Sequence, residues 1–314
     1  METFVGVDLG GTGLKLGEVT REGKLLSRRE VPSGHLSQQE ALERIVQETE
    51  TFLGQTRGQV TALGLGLIGR IDSRQGLWME IDHDRGEVLP MAGLLRERFG
   101  LPCFADNDVR SAAKAEALFG GEPVPENWIY LNVGTGIAAA ATAGGKLLTG
   151  GHWNAGEVGH TGSGLSFHAP CPCGRPDCVE AVASGMGIDQ CARLLAPRYP
   201  DTSLPIPEQG RVSAAEVFAR YDTDPLCRAL TDQTATALAN LIMNLTRFAD
   251  PEKIVLGGGM ITGGFLLSKI REHLEPFTLR YVTGGIVQSR LDPRSIGILG
   301  AAANAMKEME ESGC

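Results

Sequence analysis

The sequence FVGVDLGGTGLKLGEV, residues 4–19, decides the fold of this chain. Two runs rich in apolar residues, 4–8 and 14–19, enclose a turn that contains Gly10-Gly11-Thr12. Such runs around a glycine-rich turn predict a β-hairpin, and the pattern over 24–31 predicts a third strand beside it. The chain therefore opens with a three-stranded meander whose first turn is rich in glycine.

A second meander with the same organisation begins near the middle of the chain. Its strands are predicted over 128–133, 137–143 and 146–148, and its first turn is Gly134-Thr135-Gly136. Alternating helices and strands follow each meander. The apolar spacing predicts helices over 41–53, 91–99, 109–119, 231–248, 265–273 and 298–309, and strands over 60–67, 103–105, 254–256 and 286–287. The order β-β-β-α-β-α-β-α thus occurs twice, which predicts an α/β fold of two lobes.

The two glycine-rich turns occupy equivalent positions in the two predicted lobes. Glycine lets backbone N–H groups approach an anion closely, and Thr12 and Thr135 add hydroxyl donors. A pair of such turns therefore suits the phosphates of a nucleotide, although neither turn is a Walker A loop. The alternative is that both are ordinary hairpin turns.

Length, charge and hydropathy narrow the class of protein. The 314 residues, at 33.4 kDa, exceed what one core usually organises, since domains cluster at roughly 100–150 residues. A net charge of −9 without any block of Lys or Arg argues against nucleic acid as the main partner and favours a small ligand. No apolar run approaches the roughly 20 residues of a membrane span, and a strand pattern follows Met1 directly. We therefore expect a soluble, cytoplasmic protein.

Three of the seven cysteines lie close together in the sequence, at Cys171, Cys173 and Cys178. In a cytosolic chain such a cluster points to a metal more than to disulfides. A structural zinc site wants four ligands, so a fourth must come from elsewhere. The histidines in this part of the sequence are His152, His160 and His168. The alternative is three free thiols in a loop.

Several motifs follow one another along the whole chain. They are Asp8-Leu9-Gly10-Gly11-Thr12, Asn107-Asp108, Gly134-Thr135-Gly136, Gly156-Glu157-Val158-Gly159-His160, Cys171-Pro172-Cys173-Gly174 with Cys178-Val179-Glu180, and residues 251–259. In this combination the chain resembles the ROK family of bacterial sugar kinases and sugar-responsive repressors, within the hexokinase, actin and Hsp70 superfamily.

The resemblance implies an α/β, two-lobed ribonuclease H-like fold with duplicated β-β-β-α-β-α-β-α lobes and a cleft between them. The smaller N-terminal lobe is expected over residues 1–120, with the helix over 297–314 packing back on it, and carries the sugar-binding and catalytic residues. The larger lobe is expected over 121–296, with a zinc-binding insertion and the nucleotide contacts.

The resemblance also assigns a catalytic role to Asp108. Phosphoryl transfer to a hydroxyl needs a carboxylate within hydrogen-bond reach that accepts the proton. A compatible alternative is that Asp108 is the N-cap of a helix beginning at Val109. The residues implied to bind the sugar are Gly69, Asn107, Asp108, Glu157, His160 and Glu180. Taken alone, Asn107 is also typical of a turn, Glu157 of a solvated loop and Glu180 of the first turn of a helix.

The bound groups implied by the resemblance are ATP, Mg²⁺ and a structural Zn²⁺. Zinc is expected on His160, Cys171, Cys173 and Cys178, and Asp8 is expected to orient Mg²⁺ through water. The residues implied to hold the nucleotide are Asp8, Gly10, Gly11, Thr12, Gly134, Thr135, Gly136, Gly257, Gly258 and Gly259. The implied activity is that of an ATP:sugar 6-phosphotransferase, first of all a glucokinase, in a homodimer or homotetramer.

Some positions depart from the family pattern. A proline is replaced by Ile68, a glycine ahead of the Gly-Glu motif by Trp153, a side chain after Thr12 by Gly13, and a glycine before Cys178 by Asp177. Trp153 either stacks on a sugar face or lies in the core. The acceptor therefore stays open between glucose, N-acetylmannosamine, N-acetylglucosamine, allose, fructose and a glucoside.

Two other classes of function fit the sequence less well. Sugar-sensing repressors of the same family carry a DNA-binding helix-turn-helix segment before the kinase-like body, whereas here a strand pattern follows Met1 at once. An actin-like or Hsp70-like ATPase acting on protein partners would not need the Gly-Glu-Val-Gly-His and cysteine motifs. We therefore expect sugar and ATP as ligands, with neither nucleic acid nor a membrane as partner.

Overall fold

The computed structural model describes residues 1–11, 13–34, 37–81 and 86–312, which form two compact units. Unit 1 holds residues 1–124 and 149–155 and the chain from 290 onward, and unit 2 holds residues 125–148 and 156–289. The short segment 149–155 therefore belongs to unit 1, although unit 2 precedes and follows it in the sequence.

Unit 1 is built on one five-stranded sheet. Its strands are β1 (Glu2–Leu9), β2 (Gly13–Thr20), β3 (Leu25–Pro32), β4 (Gln59–Leu67), a small separate hairpin of β5 (Arg70–Asp72) and β6 (Leu77–Glu80), and β7 (Cys103–Asn107). Its helices are α1 (Gln38–Leu53), α2 (Met91–Phe99), α3 (Asp108–Phe119) and the last helix of the chain, α10 (Ile296–Ser312). The strand order is β3-β2-β1-β4-β7, with the meander antiparallel and the last two strands parallel to β1.

Alternation along β1 sends successive side chains to opposite faces of the sheet. Its odd-numbered apolar residues pack with α1 and α2 in one core. Gly6 and Asp8 point to the other face, where α10 packs. A Cβ at Gly6 would lie 2.1 Å from the carbonyl oxygen of Ile298, so only glycine permits this close approach of helix and sheet. The same alternation places the Asp8 carboxylate beside the first turn of α10.

Unit 2 repeats this topology. Its elements are β8 (Trp128–Val133), β9 (Ile137–Ala143), β10 (Lys146–Leu147), α4 (Val179–Ala183), α5 (Gly185–Leu195), α6 (Ala214–Ala219), α7 (Pro225–Ala249), β11 (Lys253–Gly257), α8 (Phe265–Glu272), α9 (Pro276–Leu279) and β12 (Ile286–Gln288), with 3-10 turns at Val158–His160 and Ala196–Arg198. The strand order is β10-β9-β8-β11-β12, again a meander followed by two parallel strands. The predicted duplication is therefore confirmed.

The periodic elements were predictable almost to the residue, whereas short ones were not. Helix α2 and strands β8 and β9 have the predicted bounds. The β5–β6 hairpin and helices α5 and α6 were not predicted, and α4 only as the alternative role of Glu180, because segments this short carry little periodicity. Helix α7 begins at Pro225 instead of Thr231, since Asp224 caps it by accepting the N–H groups of Leu226 and Cys227. No helix within the described ranges is long and apolar enough to cross a membrane.

Candidate functional site

Asn107 and Asp108 lie where β7 ends and α3 begins. Asn107 is the N-cap: its Oδ1 accepts the N–H groups of Val109 and Arg110 at 3.0 and 3.2 Å. The alternative in which Asp108 caps the helix is therefore wrong, because its neighbour fills that role. Asp108 is the first helical residue, where the N–H of Val109 also donates to its Oδ1 at 3.0 Å. The positive end of the α3 dipole favours the charged carboxylate at this position.

Gly69 lies next to this pair in unit 1. Its carbonyl oxygen accepts a hydrogen bond from Asn107 Nδ2 at 3.1 Å. Its φ of +87° is in the region that favours glycine, and a Cβ would lie 2.2 Å from the Glu80 carbonyl oxygen. The Arg70 guanidinium makes two bonds to the Glu80 carboxylate, at 2.9 and 3.1 Å, and so fastens the β5–β6 hairpin. The structure thus brings Gly69, Asn107 and Asp108 together.

Asp106 is a buried carboxylate with two cationic partners. Arg110 Nε lies 2.6 Å from its Oδ1 and Lys114 Nζ lies 2.8 Å from its Oδ2. Although burial opposes ionisation, Lys114 and Arg110 hold the pKa of Asp106 below its usual value. Arg110 is a residue that sequence reasoning missed, since a single arginine on a helix gives no signal of burial.

Asp8 is a carboxylate at the end of β1, only 8% exposed. A Cβ at Gly297, in the first turn of α10, would lie 2.1 Å from its Oδ2. Lys15 is its register partner on β2, but among the described residues no hydrogen bond reaches the carboxylate. Burial, opposed by the charge of Lys15, raises the pKa of Asp8 to about 6. Such a carboxylate fits hydrated Mg²⁺, whose water ligands would supply the hydrogen bonds that the protein does not.

The raised pKa of Asp8 predicts a pH-dependent destabilisation. Between about pH 3.8 and 6 the folded chain binds more protons than the unfolded chain, so stability falls as pH rises through this window. We expect Asp8→Asn to remove this effect and to stabilise the protein by up to about 2 kcal/mol at pH 5 and up to about 3 kcal/mol at pH 7. Denaturant unfolding of both proteins at the two pH values measures it, and a difference that does not grow with pH would contradict it.

The two glycine-rich turns have the predicted places in their units. Gly10 follows β1, and its N–H donates to the carbonyl oxygen of Gly13 at 3.0 Å. Gly11 is exposed, with nothing within 4 Å of a Cβ there. Thr12 lies outside the described residues, so its phosphate contact stays a prediction. In unit 2 the turn after β8 is closed by the N–H of Gly134, which donates to the carbonyl oxygen of Gly136 at 3.0 Å.

Glu180 connects the second turn to the Gly-Glu-Val-Gly-His motif. It lies half-buried in the first turn of α4, and its Oε2 accepts the N–H of Ile137 at 2.8 Å. A Cβ at Gly136 would lie 2.6 Å from that oxygen, and one at Gly159 would lie 2.2 Å from the Ile137 carbonyl oxygen and 3.1 Å from the Glu180 Cβ. The glycines are therefore required for this packing. Glu180 is an acid in the first turn of a helix, as the alternative stated, but it also ties these two motifs together.

Glu157 and His160 lie on the 3-10 turn of the same motif. Glu157 precedes the turn with its side chain 48% exposed, and its Oε2 is 3.9 Å from His160 Nε2. Gly156, at φ +107°, would bring a Cβ to 2.1 Å from the Ala139 carbonyl oxygen, which fixes the motif against β9. Unit 2 therefore brings together the three predicted sugar contacts that follow residue 156, namely Glu157, His160 and Glu180.

The predicted metal ligands form one cluster in unit 2. The ligand atoms of His160, Cys171, Cys173 and Cys178 all lie within 4.8 Å of one another. His160 Nδ1 is 3.3 Å from Cys171 Sγ, so the imidazole turns one nitrogen to the thiols and the other to Glu157. Four tetrahedral ligands of zinc lie roughly 3.5–3.8 Å apart, which is close to this arrangement. In the described chain His152 and His168 do not join the group.

The thiols of this cluster have shifted pKa values. Burial, together with the neighbouring Cys173 and Cys171 thiols, raises the pKa of the Cys178 thiol to about 12. The backbone N–H of Arg175 lowers the pKa of Cys173. A divalent cation among the sulfurs would favour the thiolate form of all three. The cluster therefore fits a structural zinc ion.

A cavity of about 550 Å³ opens beside the second glycine turn, entirely within unit 2. Phe218 and Phe265 line it with their ring centroids 5.8 Å apart. Among the described residues that line the cavity, Arg211 is the one cation. The remaining lining residues are Gly134, Thr135, Gly185, Val212, Ala214, Ala215, Gly259, Met260 and Thr262. An apolar cavity next to backbone N–H groups suits a nucleoside with phosphates. Phe265 begins a predicted helix, whereas Phe218 lies on α6, which was not predicted.

The three glycines after β11 differ in what they do. A Cβ at Gly257 would lie 2.0 Å from the Tyr130 hydroxyl, and one at Gly258, whose φ is +93°, would lie 2.3 Å from the Val133 carbonyl oxygen. Both therefore serve packing. Gly259 has nothing within 4 Å of a Cβ and lines the cavity. Only Gly259 of the three predicted contacts is placed beside the candidate nucleotide cavity.

Two departures from the family pattern occur at left-handed backbone positions. Trp153 has φ +61° and Asp177 has φ +56°. Asp177 tolerates this conformation because its carboxylate accepts three N–H groups, those of residues 167–169, at 2.8–3.2 Å. Trp153 is half-buried, which excludes the core position, and its ring packs under the Arg74 guanidinium at 5.4 Å. A glycine would adopt either backbone conformation without strain.

Two units with the same meander and strand order define the fold of the hexokinase, actin and Hsp70 superfamily. The chain belongs to the ROK family, whose model matches residues 4–308. It is 30% identical over 293 residues to the glucokinase of Halalkalibacterium halodurans, which covers 90% of this chain and 88% of that one. It is 31% identical over 318 residues to the N-acetylmannosamine kinase of Shigella flexneri, covering 98% and 99%.

A solved structure is also similar. The ROK family glucokinase from Streptomyces griseus, in complex with glucose and AMPPNP, matches with a TM-score of 0.77 and 27% identity, over 96% of this chain and 98% of that chain. The similarity thus extends over both units, and these three relatives are sugar kinases.

Proposed function

We propose that this chain is an ATP-dependent hexose kinase that phosphorylates the sugar 6-hydroxyl, with glucose as the acceptor. The observation that carries the proposal is the placement of Asp108. Asn107 caps α3, so helix capping does not account for the carboxylate that follows it. A carboxylate beside hydrogen-bonding groups, in a family whose relatives here are sugar kinases, supports a general base for phosphoryl transfer.

The residues of unit 1 would position and deprotonate the acceptor. Asp108 would accept the proton of the attacking sugar hydroxyl as the hydroxyl oxygen forms a bond to the γ-phosphorus of ATP, while the bond from that phosphorus to the β,γ-bridging oxygen breaks and ADP leaves. Asn107 has already used its Oδ1 for two helix N–H groups and one Nδ2 hydrogen for Gly69. One amide hydrogen remains to bind a sugar hydroxyl. Because the cap fixes the Asn107 side chain, the hydrogen that it offers has a defined direction.

The residues of unit 2 that we assign to sugar binding are Glu157, His160 and Glu180. Carboxylates accept hydrogen bonds from sugar hydroxyls, and an imidazole can donate or accept. Zinc on Nδ1 of His160 would leave Nε2 for the sugar and fix the ring plane. We assign the zinc ion this structural role, held by His160, Cys171, Cys173 and Cys178.

The parts of the chain that we assign to nucleotide binding are the glycine turn of each unit and the cavity within unit 2. The N–H groups of Gly10 and Gly134 already close their own turns, so the backbone N–H groups of Gly11, Thr135 and Gly136 are the ones that would suit phosphate oxygens, and Thr12 would add a hydroxyl. Gly259 and the aromatic lining suit the adenosine. Bound Mg²⁺ would neutralise charge on the β- and γ-phosphates. Asp8 would orient its water ligands.

N-acetylmannosamine is the second candidate acceptor, because an N-acetylmannosamine kinase is as similar to this chain as a glucokinase is. Trp153 supports a change in acceptor preference, since it replaces a glycine near the motif that carries Glu157. N-acetylglucosamine, allose, fructose and glucosides are further candidates. For the assembly we propose a homodimer or homotetramer.

The substrate is tested by sugar-dependent formation of ADP from Mg-ATP with glucose, N-acetylmannosamine, N-acetylglucosamine, mannose, allose and fructose. We expect glucose to give a kcat/KM at least tenfold above every other sugar. Identification of the product as the 6-phosphate by NMR checks the position of transfer. Preference for N-acetylmannosamine would select the second candidate. ADP formation that is the same with and without every sugar would contradict the kinase proposal, and no activity at all would favour a sugar-sensing regulator.

A further inference from the structure

Arg110 is a buried cation whose guanidinium contacts three separate segments of unit 1. The residue is 2% exposed. Its Nε donates to Asp106 Oδ1 at 2.6 Å, its Nη2 to the Ile71 carbonyl oxygen at 2.9 Å and its Nη1 to the Trp153 carbonyl oxygen at 3.3 Å. Its charge is balanced by Asp106, which leaves two nitrogens for the carbonyls. One side chain therefore joins the end of β7, the β5 strand and segment 149–155.

Each of these segments carries, or leads directly to, a residue assigned to the acceptor. Ile71 is two residues after Gly69, and Asp106 is two residues before Asp108. Trp153 is four residues before Glu157 in the sequence. Arg110 is also joined to Asn107, whose Oδ1 accepts its backbone N–H at 3.2 Å. The guanidinium thus lies behind the loops that hold the predicted acceptor contacts, without being one of those contacts.

The conformation of Trp153 shows that segment 149–155 is firmly held. A bulky residue at φ +61° is strained, and such a conformation persists only where its surroundings fix it. Arg110 holds its carbonyl oxygen, Arg74 packs on its ring, and Arg70 donates to the neighbouring carbonyl of His152 at 3.4 Å. Three arginines therefore fasten this short segment to unit 1.

We propose that Arg110 is a positioning residue for acceptor binding: its planar fork holds the loops of Gly69, Asn107 and Trp153 in one fixed arrangement. The inference rests on the proposed function. Lysine would keep the charge opposite Asp106, but it is a compact point charge and cannot donate in three fixed directions. Loss of the two carbonyl bonds, with the charge retained, is therefore the change that isolates this role.

The test compares the wild type with Arg110→Lys in steady-state kinetics. We expect the KM for the acceptor sugar to rise about tenfold, as for two lost hydrogen bonds, while the KM for ATP stays within about twofold. A purely structural role would lower the folded fraction, and with it kcat, but would leave both KM values unchanged. Arg98→Lys is the matched control, since Arg98 also pairs with a carboxylate, its Nη2 donating to both oxygens of Glu50 at 2.9 and 2.8 Å, but on an exposed face. It should change neither KM.

A second variant covers the case in which Arg110→Lys does not fold. The double variant D106N/R110Q replaces both charges by neutral amides, while Lys114, which loses the Asp106 carboxylate, keeps its hydrogen bond to Asn304 Oδ1 at 2.9 Å. It should show the same rise in the sugar KM. A folded variant of either kind with an unchanged sugar KM would overturn the role of Arg110 while the wild type remains a sugar kinase. A wild type that phosphorylates no sugar would instead overturn the proposed function, and this inference with it.

Discussion

Asp108→Asn is expected to lower kcat by roughly 10²–10⁴-fold, the range that general-base catalysis contributes. This corresponds to about 3–5 kcal/mol of transition-state stabilisation. The substitution is conservative in shape, and an Asn Oδ1 can still accept the N–H of Val109, so α3 should begin at the same residue. Because the amide cannot accept the proton of the attacking hydroxyl, chemistry should slow while the KM for ATP stays within a few fold. Steady-state kinetics and thermal unfolding measure the two effects.

Asp292→Asn is the matched control for this experiment. Asp292 lies just before α10, and its Oδ1 accepts the N–H of Arg294 at 2.9 Å, so it too is an aspartate at the start of a helix in unit 1. It belongs to neither group of proposed ligand contacts, and its substitution should leave kcat within about twofold. If Asp108→Asn kept more than a tenth of the wild-type kcat, Asp108 would not be the base.

Asp106→Asn, two residues before Asp108, is expected to affect stability instead of kcat. Asp106 is 1% exposed and pairs with both Arg110 and Lys114. Removing its charge leaves the buried Arg110 and the partly buried Lys114 without their anion, and breaking a buried ion pair typically costs about 3–5 kcal/mol of stability. Substitution of Asp106 is therefore expected to lower the stability of the protein, whereas substitution of Asp108 is expected to lower kcat. The sequence alone does not separate them, because both lie at a strand end before a helix.

The fold could be predicted well because both units show the same order of elements in the apolar periodicity of their sequences. Strands β8 and β9 and helix α2 depend on periodicity within single segments, and the structure has them at the predicted residues. The glycine-rich turns at residues 10–12 and 134–136 were predictable because each lies between two adjacent strands in the sequence. The β5–β6 hairpin was not, although it positions Gly69, since three- and four-residue strands carry too few alternations to be distinguished from a loop.

The residues of the candidate site could be predicted only where several functional side chains lie close together in the sequence. Cys171, Cys173 and Cys178 are close enough in the chain to indicate a metal, but the choice among three histidines depended on the family resemblance. The partners of Arg110 could not be found, because two of them are backbone carbonyls at distant positions, and a carbonyl has no residue signature. Trp153 replaces a family glycine, and its positive φ is the reason why a glycine fits this position.

The zinc proposal predicts a large effect from one sulfur atom. Cys178→Ser should reduce bound zinc from about one ion per chain to well below one, measured by elemental analysis of the purified protein. Loss of a structural metal is among the changes that destabilise most, and about 3 kcal/mol would lower the melting temperature by roughly 6–12 °C. The sugar KM should also rise, because His160 would lose the ion that fixes its ring.

Cys191→Ala separates the metal from the general effect of losing a thiol. Cys191 is buried in the same unit, and burial raises the pKa of its thiol to about 11, so it stays protonated and outside the cluster. This variant should keep its zinc and its sugar KM, although a small cavity lowers its stability. Full zinc content in Cys178→Ser would exclude the site. Zinc loss with an unchanged sugar KM would retain the metal as a structural ion but remove its proposed link to substrate binding, because the other nitrogen of His160 would then need no fixed ring to bind the sugar.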